Sequence, residues 1–178
     1  IAQYHSSLDK DGDGIDDQVD ILEGAIAYVN THPKYKSAYY AGGYPNDGYG
    51  VCTDVVAYAL KATGYDLMEL VSADIAMHAD MYDIEVADKN IDFRRVKNLY
   101  VFFNLNAESL TTDINDIKSW QGGDIVIFNN HIAIVSDRRN QDGIPYVIHH
   151  ANPFQKTYEE DILEKHDDIR GHYRWNKG

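Results

Sequence analysis

A helical run followed, far downstream, by closely spaced short strands constrains this chain most. Val55, Val56, Ala59 and Leu60 recur at helical spacing from about Cys52 to Ala62, and Gly64 supplies a stop. Strand patterns then fill Asp124–Phe128, His131–Ser136 and Tyr146–His150, parted by Asn129-Asn130 and by the turn-rich segment 138–143. Ile169–Trp175 reads as a last strand. Helices early and strands late predict an α+β domain. At 178 residues the chain suits one folding unit with a sizeable core. We expect residues 1–33 to form a loop and helix packed on a main domain of residues 34–178. That helix starts near Gln18, with Val19, Leu22, Ile26 and Val29 on one face, and His32-Pro33 closes it. Within 65–120, Leu67–Asp83 reads as helical and Asp113–Trp120 as a loop with a short turn. The run Leu99-Tyr100-Val101-Phe102-Phe103 fits a helix or a strand equally.

The N-terminal loop carries its own chemistry. Asp9-Lys10-Asp11-Gly12-Asp13-Gly14-Ile15-Asp16-Asp17-Gln18-Val19-Asp20 fits a calcium loop of the EF-hand type. Asp9, Asp11 and Asp13 take its first, third and fifth positions, and Gly14 the sixth, where the chain must turn. Ile15 offers a backbone carbonyl, Asp17 fills the ninth position, and Asp20 stands where a bidentate Glu is usual. A hard cation needs several oxygens, and carboxylates this close repel one another without one. The competing reading is a solvated acidic turn. A structural calcium ion, with no organic cofactor, is the expectation.

Cys52 is the single cysteine, so it forms no internal disulfide. It is either a small buried residue or a nucleophile. It opens a helix, where exposed N–H groups and the helix dipole favour a thiolate and could hold an oxyanion. Gly48 and Gly50 keep its approach open. His131 heads one strand and His149 ends the next, an order suited to a thiol, a base and a group that orients the base. His150 is a substitute for His149, with Asn152 behind it. Asp92, Arg94 and Arg95 lie in the 65–120 insertion, either as solvated charges or as contacts to a substrate carboxylate.

Tyr39-Tyr40-Ala41-Gly42-Gly43, Gly50-Val51-Cys52, Gly123–Phe128, His131–Val135 and Val147-Ile148-His149 together resemble the NlpC-type branch of the papain-like cysteine peptidases and amidases. Within that branch the chain is most similar to a bacterial family known as a domain of unknown function. Gly50–Val56, Asn90–Val96, Gly122–Phe128 and Gly171-His172-Tyr173-Arg174 carry this likeness, which spans about residues 35–176. The resemblance implies a nucleophile helix packed on an antiparallel sheet, with Cys52 as nucleophile, His131 as base, His149 as orienter and Tyr39 lining the oxyanion site. It also implies cell-wall chemistry. Val51 and Thr53 flank the cysteine where Asp and Ser or Gly are usual, and His150 stands where a small or amide residue is expected.

The formal net charge of -13 repels phosphate and argues against nucleic acid as a partner. No apolar run reaches the length of a membrane span. A weak calcium site is most useful where calcium is abundant, so a periplasmic or extracellular location is expected, with the targeting segment missing from a chain that starts at Ile1. The expected activity is hydrolysis of amide bonds in peptidoglycan stem peptides. An inactive calcium-stabilised binding module and a different acyl chemistry on the same scaffold are the alternatives.

Overall fold

The computed structural model describes residues 1–177. Five α-helices and eight short strands follow in the order α1 (Asp17–Val29), β1 (Lys34–Tyr35), β2 (Tyr49–Gly50), α2 (Cys52–Thr63), α3 (Leu67–Met77), α4 (Lys89–Asp92), α5 (Val96–Asn106), β3 (Glu108–Ser109), β4 (Ile125–Ile127), β5 (Ile132–Arg139), β6 (Pro145–Ile148), β7 (Glu159–Glu160) and β8 (Gly171–Arg174). Six strands form one antiparallel sheet, ordered β3-β8-β4-β5-β6-β7, while β1 and β2 pair in parallel by themselves. The α+β reading holds at this level. No helix among the described residues is long and apolar enough to cross a membrane.

Strand alternation sorts the sheet into two faces. Ile125, Ile127, Ile132, Ile134 and Ile148 join the helices in one core, together with Ile21, Leu22, Ala25 and Val29 of α1 and Val55, Val56, Ala59 and Leu60 of α2. Residues 1–33 therefore share the core of the main unit. On the other face, Val126, Ala133, Val135 and Val147 pack under Trp120, Phe128, Ile144 and Leu163, which come from loops and short turns.

Three boundaries differ from expectation or settle it. α3 stops at Met77 because His78 leaves helical geometry (φ -129, ψ 44), and the chain folds back so that the Tyr82 hydroxyl reaches Asp74. The ambiguous segment is helix α5. Leu99, Phe102 and Phe103, spaced three and four apart, are its buried face. Gly64 ends α2 as a left-handed cap (φ 107).

Candidate active site

The start of α2 is held by its third residue. Asp54 accepts the Val51 N–H at 2.8 Å, which satisfies the entry to the helix. The same carboxylate takes a two-pronged ion pair from Arg94, Nε to Oδ1 at 2.8 Å and a terminal nitrogen to Oδ2 at 2.9 Å. Arg94 also donates to the Ala38 carbonyl at 2.7 Å, and Thr53 bonds the Arg94 carbonyl at 3.2 Å. Arg94 is thus a buried anchor for the cysteine helix, neither a solvated charge nor a substrate contact. Arg95 beside it is exposed. A Cβ on Gly50 would collide with the Tyr28 hydroxyl, so a larger residue here requires that side chain to move.

Cys52 is the first residue of α2 and is partly buried against the helix-side core. The backbone N–H groups of Ile132, Thr53 and Cys52 itself favour its thiolate, and Ile132, which opens β5, follows His131 in the chain. Burial nevertheless dominates and pushes the thiol up to about 11, with the Asp54 carboxylate adding to it. The expectation that the helix start would lower this thiol is corrected by its desolvation.

His131 and His149 come together. His131 Nε2 lies 2.7 Å from His149 Nδ1, and His149 Nε2 lies 2.8 Å from the Glu160 carboxylate. A carboxylate only accepts, so His149 Nε2 carries the hydrogen. Its Nδ1 is then an acceptor, and His131 Nε2 must donate to it. His131 Nδ1 is left as a bare lone pair, with no hydrogen bond among the described residues. A three-member chain therefore sets His131 in the tautomer of a general base.

Burial is the largest influence on both rings. It lowers His131 to about 3, helped by His149 and His166, and lowers His149 to about 4, helped by His166 and His150. The folded protein thus resists protonation that the unfolded chain, with ordinary histidines near pH 6.5, accepts. Stability from these two rings is complete above pH 6.5 and declines as pH falls toward 4. Melting temperature against pH is expected to drop across that window, with a shallower slope in His131→Asn.

His150 does not reach His131. It lies on the opposite side, edge-on to Tyr35 (5.2 Å between centroids) and to Tyr158 (5.3 Å), and its buried Nδ1 has no partner among the described residues. His149 is therefore the histidine that meets His131, and His150 lines a separate cavity. That cavity, about 380 Å³, is lined by Tyr35, Tyr49, His150, Asn152, Gln155 and Tyr158, among others. Tyr39 is tied to the segment at Asp88 and Asn90. It is 56% exposed, its hydroxyl donates to Asp88 at 3.0 Å, and it accepts from Asn90. Burial raises the Tyr35 hydroxyl, and Cys52 adds to the rise.

Glu160 and Tyr35 went unseen in the sequence. β7 is two residues long, too short for periodicity, and only its register on β6 puts Glu160 opposite Val147, on the face of His149. Tyr35 sits in a strand of the same length.

In the N-terminal loop, the carboxylates of Asp9, Asp11, Asp13 and Asp20 converge. Asp17 departs from its expected ninth-position role. It is fully buried at the first turn of α1, where its carboxylate accepts the Lys10 N–H and the Tyr65 hydroxyl.

Residues 22–175 match the family model described as "Domain of unknown function (DUF1287)". The chain is 37% identical over 168 residues to "Uncharacterized protein YijF" of Escherichia coli (strain K12), covering 87% of this chain and 80% of that one. No solved structure matches the chain.

Proposed function

The chain belongs to the DUF1287 family, and on the geometry around Cys52 we propose that it is a cysteine hydrolase of amide bonds on a papain-like, NlpC-type scaffold. One observation carries the reading: the chain Glu160–His149–His131, which leaves His131 Nδ1 bare, in the residue that precedes Ile132, whose backbone favours the Cys52 thiolate. In this proposal His131 takes the thiol proton as the sulfur attacks the carbonyl carbon. The Cys52 and Thr53 N–H groups hold the developing oxyanion. The imidazolium then protonates the leaving amine, and an acyl-enzyme remains. Water, deprotonated by His131, releases the acid and restores the thiol.

The substrate class, peptidoglycan stem peptides, follows from the likeness to cell-wall peptidases and amidases. The cavity beside Tyr35 suits an extended peptide, with aromatic faces for apolar atoms and the Asn152 Nδ2 for a carbonyl. A location outside the cytosol goes with this substrate. Mass analysis of products from purified muropeptides tests both the activity and the bond cut. Absence of any cleaved product at stoichiometric enzyme would sink the reading.

A second reading, a binding module whose chemistry has been lost, is favoured by the raised thiol alone. Glu160 separates the two. Its side chain is 34% exposed, so it can be replaced without disturbing the core. Glu160→Leu removes the acceptor that sets both tautomers and is expected to lower kcat about 10–100-fold with KM little changed. Glu160→Gln, which keeps an acceptor oxygen, restores most of the rate. Steady-state kinetics on a muropeptide checks both, and equal losses in the two variants would remove Glu160 from its positioning role.

A further inference from the structure

The N-terminal loop precedes the region shared with the family, which begins at residue 22. Four carboxylates meet there. Asp9, Asp11 and Asp13 are exposed and Asp20 is buried, and one oxygen from each lies within 4.8 Å of all the others. Opposite ligands of a cation bound at about 2.5 Å stand roughly 5 Å apart, so one ion can touch all four.

Asp20 makes this more than an acidic surface. It is 7% exposed, and its Oδ2 is buried without a hydrogen-bond partner among the described residues. A carboxylate oxygen hidden from water and bonded to nothing is costly unless a cation completes it. Meanwhile the other loop carboxylates are already oriented from behind. Asp9 accepts the Gly14 N–H at 2.9 Å, Asp13 the Ile15 N–H at 2.9 Å, and Asp11 the Asp13 N–H at 3.3 Å.

We infer that Asp9, Asp11, Asp13 and Asp20 bind one calcium ion, and that the ion clamps the C-terminal end of the cysteine helix through the loop that holds it. An all-oxygen, carboxylate-rich set selects a hard cation, and the irregular loop suits calcium over magnesium, which requires near-octahedral order. The clamp is a chain of contacts. The loop lies against the cap of α2, where a Cβ on Gly64 would meet Lys10 Cγ at 3.1 Å and Asp11 Cβ at 3.3 Å. Lys10 stands over the Tyr65 ring, and the Tyr65 hydroxyl donates to Asp17. Asp17, lost as a ligand, thus ties the loop, α1 and the end of α2 together. The site does not depend on the hydrolase reading, and none of its tests needs a substrate.

The full chain, stripped with a chelator, is titrated with calcium chloride in a calorimeter and melted with and without the metal. A parallel series uses magnesium chloride. One equivalent of calcium is expected to bind, with a melting temperature raised about 5–10 °C at a hundredfold excess over the dissociation constant, and magnesium giving a smaller rise. Asp11→Asn and Asp20→Asn are the informative variants, because they remove like charge. Without metal they should melt at or above the wild-type temperature. With calcium they should gain little. Absence of binding heat and of a thermal rise in the wild type, or a full rise in Asp20→Asn, overturns the site. Hydrogen–deuterium exchange tests the clamp. Calcium should slow exchange in residues 9–20 and also in the last turn of α2. Slowing confined to the loop overturns the clamp.

Discussion

Cys52→Ala is expected to abolish amide hydrolysis and to leave the fold intact. The substitution removes one sulfur atom from a partly buried position, a loss of about 1 kcal/mol at most sites of this kind. It also removes the only thiol in the chain, so no neighbouring residue can take over. His131→Ala is expected to lower the rate by about 10²–10⁴-fold, the usual contribution of a positioned general base. The charge state of the pair shapes how this is measured. Burial raises the thiol to about 11 and lowers His131 to about 3, so the resting site holds a thiol and a neutral imidazole. Proton transfer must accompany attack. Alkylation of Cys52 by iodoacetamide near neutral pH is therefore expected to be slower in His131→Ala than in the wild type, and to rise with pH in both. Equal alkylation rates in the two proteins would mean that His131 does not serve the thiol, and would favour the binding-module reading. Turnover by Cys52→Ala on muropeptides would rule out the covalent route.

Periodicity made the central sheet and α2 legible, because both present one apolar face to the core and end in turn residues. Cys52, His131 and His149 could be named from order alone: a thiol at a helix start and histidines at strand ends. What stayed hidden depends on contacts between distant segments. Which of His149 and His150 meets His131 depends on the face of β6 that each continues, and only the 2.7 Å contact shows it. Glu160 needed the register of a two-residue strand. The run at Leu99–Phe103 was apolar on every side in sequence, and its helical state follows from packing against the segment at Tyr173 and Trp175. In the aspartate loop the spacing picked out four carboxylates that converge. Asp17 was misassigned because its partner, Tyr65, lies 48 residues away.

Arg94 and Arg95 are the sharpest case of neighbours that sequence could not tell apart, and they lead to the largest expected stability effect. The Arg94 side chain is 2% exposed and that of Asp54 is fully buried. Truncating the arginine leaves a carboxylate in the core with only the Val51 N–H from its present donors. Removing one partner of a buried pair typically costs about 3–5 kcal/mol, because the other charge stays behind unpaired. Arg94→Ala is expected to lower the melting temperature by about 10 °C or more in a chain of this size. It also frees the Ala38 carbonyl and the face of Tyr40, over which the guanidinium lies at 5.2 Å. Because Asp54 fixes the entry to α2, turnover should fall with stability. Arg95→Ala, at an exposed position, should stay within about 0.5 kcal/mol of the wild type. Joint replacement by Asp54→Leu and Arg94→Met separates the two roles. Stability should recover much of its loss, since an apolar pair carries no stranded charge. Activity should not recover, since the leucine side chain offers no acceptor to the Val51 N–H. Equal melting temperatures for Arg94→Ala and Arg95→Ala would show that the Asp54 pair does not hold the cysteine helix in place.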